Sequence, residues 1–211
     1  INSISIQPNN KILIVGNFSS YNGATESNII LLNTDGTKDS SFNTGTGFNF
    51  GVNVIKEQVN GKIIIAGDFT AYNSVAQNRI IILNLDGSID ETWDTGKGFN
   101  GKIYTSCIQP DGKIIVGGSF TSFNGISCGR LIRLNIDCSY DATFDTTTAV
   151  NTGIIYNICL YNYGRIIITG SFTKYNNIVV NRVACILPDG SLDSSFNTGS
   201  GSSANITNAN V

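Results

Sequence analysis

The chain has 211 residues, of which 41% are hydrophobic and only 13% charged, and its formal net charge is −2. The apolar fraction is enough for a core and excludes a disordered chain. The small negative charge offers no basic surface to phosphate backbones, so we predict no nucleic-acid partner. Apolar runs such as Ile63–Ala66 are too short for membrane insertion.

The sequence contains no His. This excludes Ser-His-Asp and Cys-His catalytic groups, and also His-based metal sites, within this segment. We predict that the protein is not an enzyme, with no catalytic, cofactor-binding or metal-binding residues.

One phrase of the sequence occurs four times. It reads QPDGKIIVGGSF from Gln109, and similar phrases begin at Gln7, Gln58 and Tyr161. The Phe residues that end the copies are spaced 51, 51 and 52 residues apart, and a second series keeps the same spacing: Phe42, Trp93, Phe144 and Phe196. Because both series recur with the same spacings, we predict four tandem repeats, approximately 7–57, 58–108, 109–160 and 161–211.

The second repeat shows the predicted elements in chain order. GVNVIKEQ alternates apolar and polar residues, which predicts a half-buried strand. Asn60-Gly61 predicts a tight hairpin turn in which both residues have positive φ. KIIIAGDF then predicts a strand covered on both faces, and a polar loop leads to a third strand, RIIILNL. Asp86-Gly87 turns the chain again, before a short last strand that ends on Trp93.

Each repeat is therefore predicted to be a meander of three or four antiparallel strands that cannot bury its Ile-rich second strand alone. We predict an all-β fold, a β-propeller with four-stranded antiparallel blades, four of them in this segment. A β-solenoid and a β-sandwich are the alternatives. Residues 1–211 would form a single β-propeller or part of a larger one. We favour the larger ring, in which 204–211 would begin a fifth blade, over a segment that closes the ring.

These motifs resemble the delta-60 repeat, a β-propeller family of unknown function. The family pattern runs Gln-Pro-Asp-Gly-Lys, an apolar strand, Gly-x-Phe, a loop, an Arg and then Asp-Gly-x-x-Asp-x-x-Phe. The third repeat matches it with QPDGKIIVGGSF, Arg130 and NIDCSYDATF. Two departures are Asn28 in the place of the Arg, and Cys138 in the place of the turn Gly, which predicts local strain. The resemblance supplies no catalytic residues. It implies a large secreted or surface bacterial protein or a bacteriophage virion protein, often tail-associated.

Two further motifs match known binding sites only in part. Gly96–Ile103 has phosphate-loop spacing, but Ile103 stands where a hydroxyl residue should follow Lys102, and no helix is predicted after it. The Asp-Gly turns precede a further Asp, as in calcium loops, but they lack the closing Glu. We interpret them as hairpin turns in which the second Asp accepts backbone N–H bonds. The five Cys residues are interpreted as small buried thiols, and one bridge between Cys107 and Cys159 is the alternative.

An aromatic residue followed by Asn recurs in the loop after each second strand: Tyr21, Tyr72, Phe123 and Tyr175. Loops clustered at one end of a ring would present aromatic and amide groups suited to glycan or protein contact. The alternative is that each ring packs against its own blade.

Two hypotheses for the function result. The first is a non-enzymatic structural or interaction module, in a bacteriophage virion or on a bacterial surface, whose loops bind protein partners of a larger assembly or surface glycan. Its location would be the virion or the cell exterior. The alternative is an extracellular glycan-acting enzyme with acidic residues at the propeller channel.

Overall fold

A computed structural model of the chain describes residues 1–93, 96–144, 149–150 and 152–207. All regular structure in these ranges is β-strand except for one 3-10 turn, Asn162–Gly164. No helix of the described residues is long and apolar enough to cross a membrane. The chain divides into two compact units, Ile1–Gly98 and Phe99–Val211, each of which holds two repeats.

The first unit contains ten strands in the described residues. Those of the first repeat are β1 (Ser3–Ile6), β2 (Ile12–Val15), β3 (Ser20–Tyr21), β4 (Ala24–Thr25) and β5 (Ile29–Leu32). Each repeat is counted here from the strand that precedes the recurring phrase, so those of the second repeat are β6 (Val52–Glu57), β7 (Ile63–Gly67), β8 (Ala71–Tyr72), β9 (Val75–Ala76) and β10 (Ile80–Leu83).

The second unit repeats this order of strands within its described part. The third repeat has β11 (Ile103–Ile108), β12 (Ile114–Gly118), β13 (Ser122–Phe123), β14 (Ile126–Ser127) and β15 (Leu131–Leu134). The fourth has β16 (Ile155–Tyr161), β17 (Arg165–Gly170), β18 (Lys174–Tyr175), β19 (Ile178–Val179) and β20 (Val183–Ile186).

Every repeat has the same antiparallel topology. The main sheet of the first repeat has the order β1-β2-β5, and β3 pairs with β4 in a separate two-stranded ribbon. The predicted fourth strand is reduced to a single bridge, Leu32 with Lys38 in the first repeat and Leu83 with Ile89 in the second. It stops there because the carboxylate of Asp39, and of Asp90 in the second repeat, accepts the backbone N–H two residues on and curls the chain.

The hairpin between β6 and β7 is present as predicted, but its turn type differs. Gly61 has φ of 79°, and Asn60 is not at positive φ. Gln58 N–H donates to the Lys62 carbonyl at 2.8 Å, which encloses a three-residue loop with a left-handed Gly. The Asn60 side chain accepts the Lys62 N–H at 3.0 Å, so Asn acts here through its side chain and not through its backbone conformation.

The core of the first unit lies between its two main sheets. We call the face of a sheet that looks toward the following repeat its outgoing face and the opposite one its incoming face. One buried cluster joins the outgoing face of the first repeat to the incoming face of the second. The outgoing face contributes Leu13, Val15, Ile29 and Leu31. The incoming face contributes Ile55, Ile63, Ile65, Ile81 and Leu83. Members of each set are cross-strand partners in the sheet register and so share a face.

The core of the second unit is built in the same way. Ile115, Leu131 and Phe144 of the third repeat pack with residues of the fourth: Ile155, Ile158, Ile166, Ile168 and Ile186. Full burial of such a side chain contributes about 1.5–3 kcal/mol, so each pair of repeats is held mainly by the contact between its faces. The prediction that a neighbouring repeat hides the Ile-rich strand is confirmed inside each unit.

The arrangement of residues 1–211 as a single β-propeller, or as part of a larger one, stays a prediction. The segment predicted to begin a fifth blade extends over residues 208–211, which lie outside the described residues.

Candidate functional site

The aromatic residues predicted to contact a partner lie in the interior. Tyr72, Phe123 and Tyr175 are fully buried, and Tyr21 is half-buried. The hydroxyl of Tyr72 donates to the carbonyl of Gly87 at 2.6 Å, and those of Tyr21 and Tyr175 donate to the equivalent turns at Gly36 and Gly190. Burial raises the pKa of the Tyr72 phenol. These rings therefore pack against their own repeats, which is the alternative stated above. A role for them in binding a partner stays a prediction.

In the second and third repeats, these rings pack the ribbon against the segment that leads into the same repeat. Phe48, in the segment after the first repeat, has its ring centroid 4.4 Å from that of Phe69 and 4.5 Å from that of Tyr72. Phe99 makes the same contacts with Phe120 and Phe123, at 4.6 and 4.7 Å. Phe48 and Phe99 were missed as organising residues by the sequence reasoning, although each stands at the same offset within its repeat.

An Asn side chain next to each linker Phe holds the loop that enters the ribbon. The Asn49 carbonyl oxygen accepts the N–H groups of Thr70 and Ala71 at 2.9 and 3.0 Å, and its amide donates to the Thr70 hydroxyl at 2.9 Å. Asn100 makes the same three bonds to Thr121 and Ser122. The loops are thus positioned by side chains of the segment between repeats.

A groove of about 540 Å³ lies among these loops in the first unit, and we call it the amide groove. Its lining combines amide side chains, hydroxyl side chains and two aromatic rings, and none of the lining residues is charged: Asn17, Phe18, Ser19, Ser27, Asn28, Thr46, Gly47, Phe48, Asn49, Ala71 and Ser74. Asn17, Ser19, Thr46, Asn49 and Ser74 are exposed, and Phe18 is half-buried. The groove therefore presents neutral hydrogen-bonding groups beside an accessible part of an aromatic ring.

Part of the amide groove is open because Asn28 has a shorter side chain than the Arg found at this position in the other repeats. The Asn28 side chain donates to the Phe48 carbonyl at 2.8 Å. In the third repeat Arg130 makes the equivalent bond to the Val150 carbonyl, also at 2.8 Å. Asn performs the same task with a shorter side chain, and an Arg at this position would occupy part of the groove. The departure of Asn28 from the repeat pattern was visible in the sequence, but its consequence for a groove was not.

A second groove in the first unit, of about 410 Å³, contains carboxylates. They lie beside Asn73 and Tyr72, one of the aromatic residues predicted to contact a partner. Asp86 and Glu91 line it with Ser41, Asn43 and Ser88. The hydroxyl and the backbone N–H of Ser88 both donate to Asp86 and lower the pKa of its carboxyl group. A glycoside-cleaving general acid requires a raised pKa, so Asp86 is poorly suited to that role.

The second Asp after each turn forms an ion pair inside its own repeat. Lys11 donates to Asp39, Lys62 lies 3.1 Å from Asp90, and the fourth repeat uses Arg165 and Asp193 at 3.0 Å. The same carboxylates accept backbone N–H groups, as from Ser41 to Asp39 at 2.9 Å. Their oxygens are therefore committed to the turn and the cation, as the hairpin interpretation predicts. In the described part of the chain, no cluster of three or more His, Cys, Asp or Glu residues could hold a metal ion.

The third repeat strengthens this pair with a second cation. Asp141 accepts hydrogen bonds from Lys113 at 2.9 Å and from Arg133 at 2.7 Å, and the Arg133 guanidinium lies over the Phe144 ring. Burial raises the pKa of Asp141, but the bonds from Lys113, Thr143 and Arg133 outweigh it and hold that pKa well below its usual range.

The other motifs singled out in the sequence have structural roles. Gly96–Ile103 runs into β11 and not into a helix, so no helix N-terminus faces a phosphate there. All five Cys residues are free thiols, and burial raises the pKa of Cys128 to about 12. Cys138 does adopt the left-handed conformation of the turn Gly it replaces, with φ of 61°.

Comparison with solved structures supports the fold. The extracellular domain of a protein assigned to a one component system of B. thetaiotaomicron is 14% identical, with a TM-score of 0.51, over 87% of this chain and 21% of its own length. Virginiamycin B lyase from Staphylococcus aureus is 17% identical, with a TM-score of 0.51, over 90% of this chain and 53% of its own length. The chain thus spans about a fifth of the first and about half of the second, and at these identities the likeness concerns the fold alone. No curated protein matches the sequence.

A family model provides the more specific match. The family described as "Domain of unknown function (DUF5122) beta-propeller" matches residues 7–42, 58–92, 109–144 and 164–196, one segment in each repeat and more than half of the chain. These segments begin at or near the recurring Gln-Pro-Asp-Gly-Lys phrase, which confirms the resemblance to a repeat β-propeller family of unknown function. The chain therefore belongs to the DUF5122 β-propeller family.

Proposed function

We propose that the protein is a non-enzymatic interaction module that binds a neutral glycan in the amide groove. The observation that carries this proposal is the lining of the groove, in which amides and hydroxyls surround a half-buried aromatic ring and no residue is charged. Sugar hydroxyls both donate and accept hydrogen bonds, as amide and hydroxyl side chains do, and the C–H face of a sugar packs on an aromatic ring. A charged ligand would find no opposite charge in this lining.

The state of the carboxylates supports a binding role over a catalytic one. The pKa values of Asp39, Asp90 and Asp193 are all lowered, by a Lys11 hydrogen bond to the first and by hydroxyl hydrogen bonds from Thr92 and Ser195 to the other two. A pair of glycosidase carboxyl groups needs one member with a raised pKa. These three carboxylates take part in turns and ion pairs.

We place this binding outside the cell, on a bacterial surface or a bacteriophage tail. The resemblance to the delta-60 repeat implies such a protein, and a groove that binds surface glycan would meet its ligand there. Antibody labelling of intact cells or virions tests the location, and a signal that appears only after lysis would contradict it.

Binding is tested by screening the protein against a panel of neutral and acidic glycans, followed by calorimetric titration of the best neutral ligand. Asn17→Ala removes an exposed amide from the groove, and Ser19→Trp fills the groove with a bulky ring. We expect each variant to weaken binding at least tenfold, as about 1.4 kcal/mol of lost contact would do.

Ser40→Trp is the matched control, because Ser40 is also exposed but does not line the groove. This variant should bind as the unaltered protein does. Failure of every neutral glycan to bind, or binding that survives both groove variants, would rule out the amide groove as the site.

A further inference from the structure

Phe50 lies on the surface of the first unit, in the segment that leads into β6. Its side chain is 56% exposed, whereas Phe48, two residues earlier, is 2% exposed and packs on Phe69 and Tyr72. The two rings of this short segment therefore differ in role. Phe48 belongs to the core, and Phe50 presents an apolar ring to solvent.

Phe50 stands where the later repeats have Gly. At the start of the second, third and fourth repeats, one carbonyl accepts the N–H of the residue that precedes the Phe of the Gly-x-Phe motif; the acceptors are Gly51, Lys102 and Ile154. The residues directly before these acceptors are Phe50, Gly101 and Gly153. A Cβ on either Gly would lie only 2.7 Å from the Cα of the Phe in its own Gly-x-Phe motif, so no side chain fits there. The fold thus requires no side chain at this position, and the Phe50 ring is available to a ligand.

The chain places Phe50 at the rim of the amide groove. Asn49, which precedes it, lines the groove. Gly51, which follows it, faces Asn17, another residue of the lining, because a Cβ on Gly51 would lie 3.7 Å from the Asn17 Cβ. Phe50 is therefore attached to the chain between two residues that border the groove, close to the exposed Asn17.

Backbone hydrogen bonds hold this segment on both sides of Phe50. The Asn49 N–H donates to the Ala71 carbonyl at 3.3 Å, and the Gly51 carbonyl accepts the Asp68 N–H at 2.9 Å. A ring on a fixed backbone loses little conformational freedom on binding, because an aromatic side chain has only about two torsions to restrict. Phe50 is thus a pre-organised apolar surface beside a groove of neutral polar groups.

We propose that the amide groove binds a neutral oligosaccharide, with one sugar among its amides and hydroxyls and a neighbouring sugar stacked on Phe50. This inference rests on the glycan-binding function proposed above and names the class of glycan. The groove volume of about 540 Å³ is within the range of about 300–1,000 Å³ found for pockets that hold drug-sized ligands, which are larger than a single sugar. The C–H face of the second sugar packs on the ring while its hydroxyls stay in water.

Matched pairs of neutral sugars test the proposal by calorimetric titration: glucose with cellotriose, mannose with mannotriose, and N-acetylglucosamine with chitotriose. For the pair that binds best, Phe50→Ala should weaken the trisaccharide at least tenfold and change the monosaccharide by less than twofold. Phe50→Trp should keep the trisaccharide affinity because an indole also stacks, whereas Phe50→Leu, which is apolar but has no ring, should lose it as Phe50→Ala does. Tyr163→Ala is the control, since Tyr163 is 92% exposed and lies in the other unit.

The outcomes separate this inference from the proposed function. Asn17→Ala should weaken both members of the pair, because the first sugar lies among the amides. If the trisaccharide binds no more tightly than the monosaccharide, or if Phe50→Ala leaves its affinity unchanged, the role of Phe50 is wrong and the amide groove stands as a site for a single sugar. If no member of any pair binds, the proposal of an oligosaccharide on Phe50 is overturned, and the wider glycan panel decides the proposed function.

A single-tryptophan variant gives a direct readout of the contact. Trp93→Phe removes the one Trp of the chain, and Phe holds that position in the other three repeats. Phe50→Trp in this background then places the only indole at the rim of the groove. Its emission should shift to shorter wavelength when the trisaccharide is added, because the sugar replaces water over the indole, and should stay unchanged with the monosaccharide. Binding seen by calorimetry without any shift in emission would place the glycan away from residue 50 and overturn the proposal.

Discussion

In each repeat, the residue just before the third strand of the main sheet has a left-handed backbone, whichever side chain it carries. Its φ is 70° at Asn28, 62° at Arg130 and 75° at Arg182. In each case the side chain donates to a carbonyl twenty residues further along the chain, at Phe48, Val150 and Ser202. Asn adopts this conformation more readily than most residues, so two unlike side chains satisfy one local requirement.

Arg130 is therefore expected to tolerate Asn but not Val. Arg130→Val loses the hydrogen bond to Val150 and places a β-branched residue at positive φ, and it should lower the free energy of unfolding by about 2 kcal/mol or more. Arg130→Asn should change it by no more than about 0.5 kcal/mol, because Asn28 shows that Asn can make the bond. Urea unfolding followed by fluorescence measures both, and equal losses would contradict this role.

The Tyr72 hydroxyl offers a second test at this scale. Tyr72→Phe leaves the Gly87 carbonyl without its buried donor and should lower the free energy of unfolding by about 1 kcal/mol. The ring itself fits, because Phe123 holds the same position in the third repeat. Tyr163→Phe, at a highly exposed position, is the control and should leave stability unchanged in the same urea titration.

Asp39 makes stability depend on pH in the acid range. The Lys11 ammonium and the Ser41 hydrogen bonds lower the pKa of Asp39 to about 2. Because this pKa is lower in the folded chain than the value of about 4 in the unfolded one, the stabilisation is present above pH 4 and is lost as the pH falls toward 2. Asp39→Asn should therefore be less stable at pH 6 and show a shallower decline in unfolding free energy between pH 4 and pH 2.

Asp111→Asn is the matched control for that titration. Asp111 lies exposed in a hairpin turn, and Asn60 holds its position in the second repeat. Asp111→Asn should not change how steeply the unfolding free energy declines between pH 4 and pH 2. If Asp39→Asn also leaves the decline in unfolding free energy between pH 4 and pH 2 unchanged, the ion pair of Asp39 is not the cause of the loss of stability in acid.

At the scale of the element, linker side chains hold the loops. Asn49→Ala removes two acceptor bonds to the N–H groups of Thr70 and Ala71 and one donor bond to the Thr70 hydroxyl. Hydrogen–deuterium exchange at Thr70 and Ala71 should become at least tenfold faster, with Thr121 and Ser122 unchanged. Asn100→Ala should give the reverse pattern. Slower or unaltered exchange at Thr70 in Asn49→Ala would mean that the ribbon pairing alone orders this loop.

The strands and hairpins could be predicted because their causes are local. The Ile-rich runs and the Asn-Gly and Asp-Gly pairs place β7, β10 and the turns around them. The fourth strand was predicted too long, since its end depends on a hydrogen bond from a backbone N–H to Asp90 that apolar patterning does not show. The amide groove was not predicted at all. Its walls include Phe48 and Asn49 from a Gly-rich segment that carries no strand pattern of its own.

At the scale of the molecule, each repeat depends on its neighbour. The incoming face of the second repeat is buried by the outgoing face of the first, and the fourth repeat stands in the same relation to the third. The repeat period therefore predicted the packing mode even though no single repeat has a core of its own. In the first repeat Ile4, which holds the register position of Ile55, is 58% exposed.

A comparison of Ile55→Ala with Ile4→Ala tests this dependence most directly, because the two residues hold one register position on equivalent strands. The free energy of unfolding of each variant is measured by urea titration. We expect Ile55→Ala to lose about 2–4 kcal/mol, as a truncation in a closed core does, and Ile4→Ala to lose no more than about 0.5 kcal/mol. Equal losses at the two positions would contradict the claim that the neighbouring repeat supplies the core.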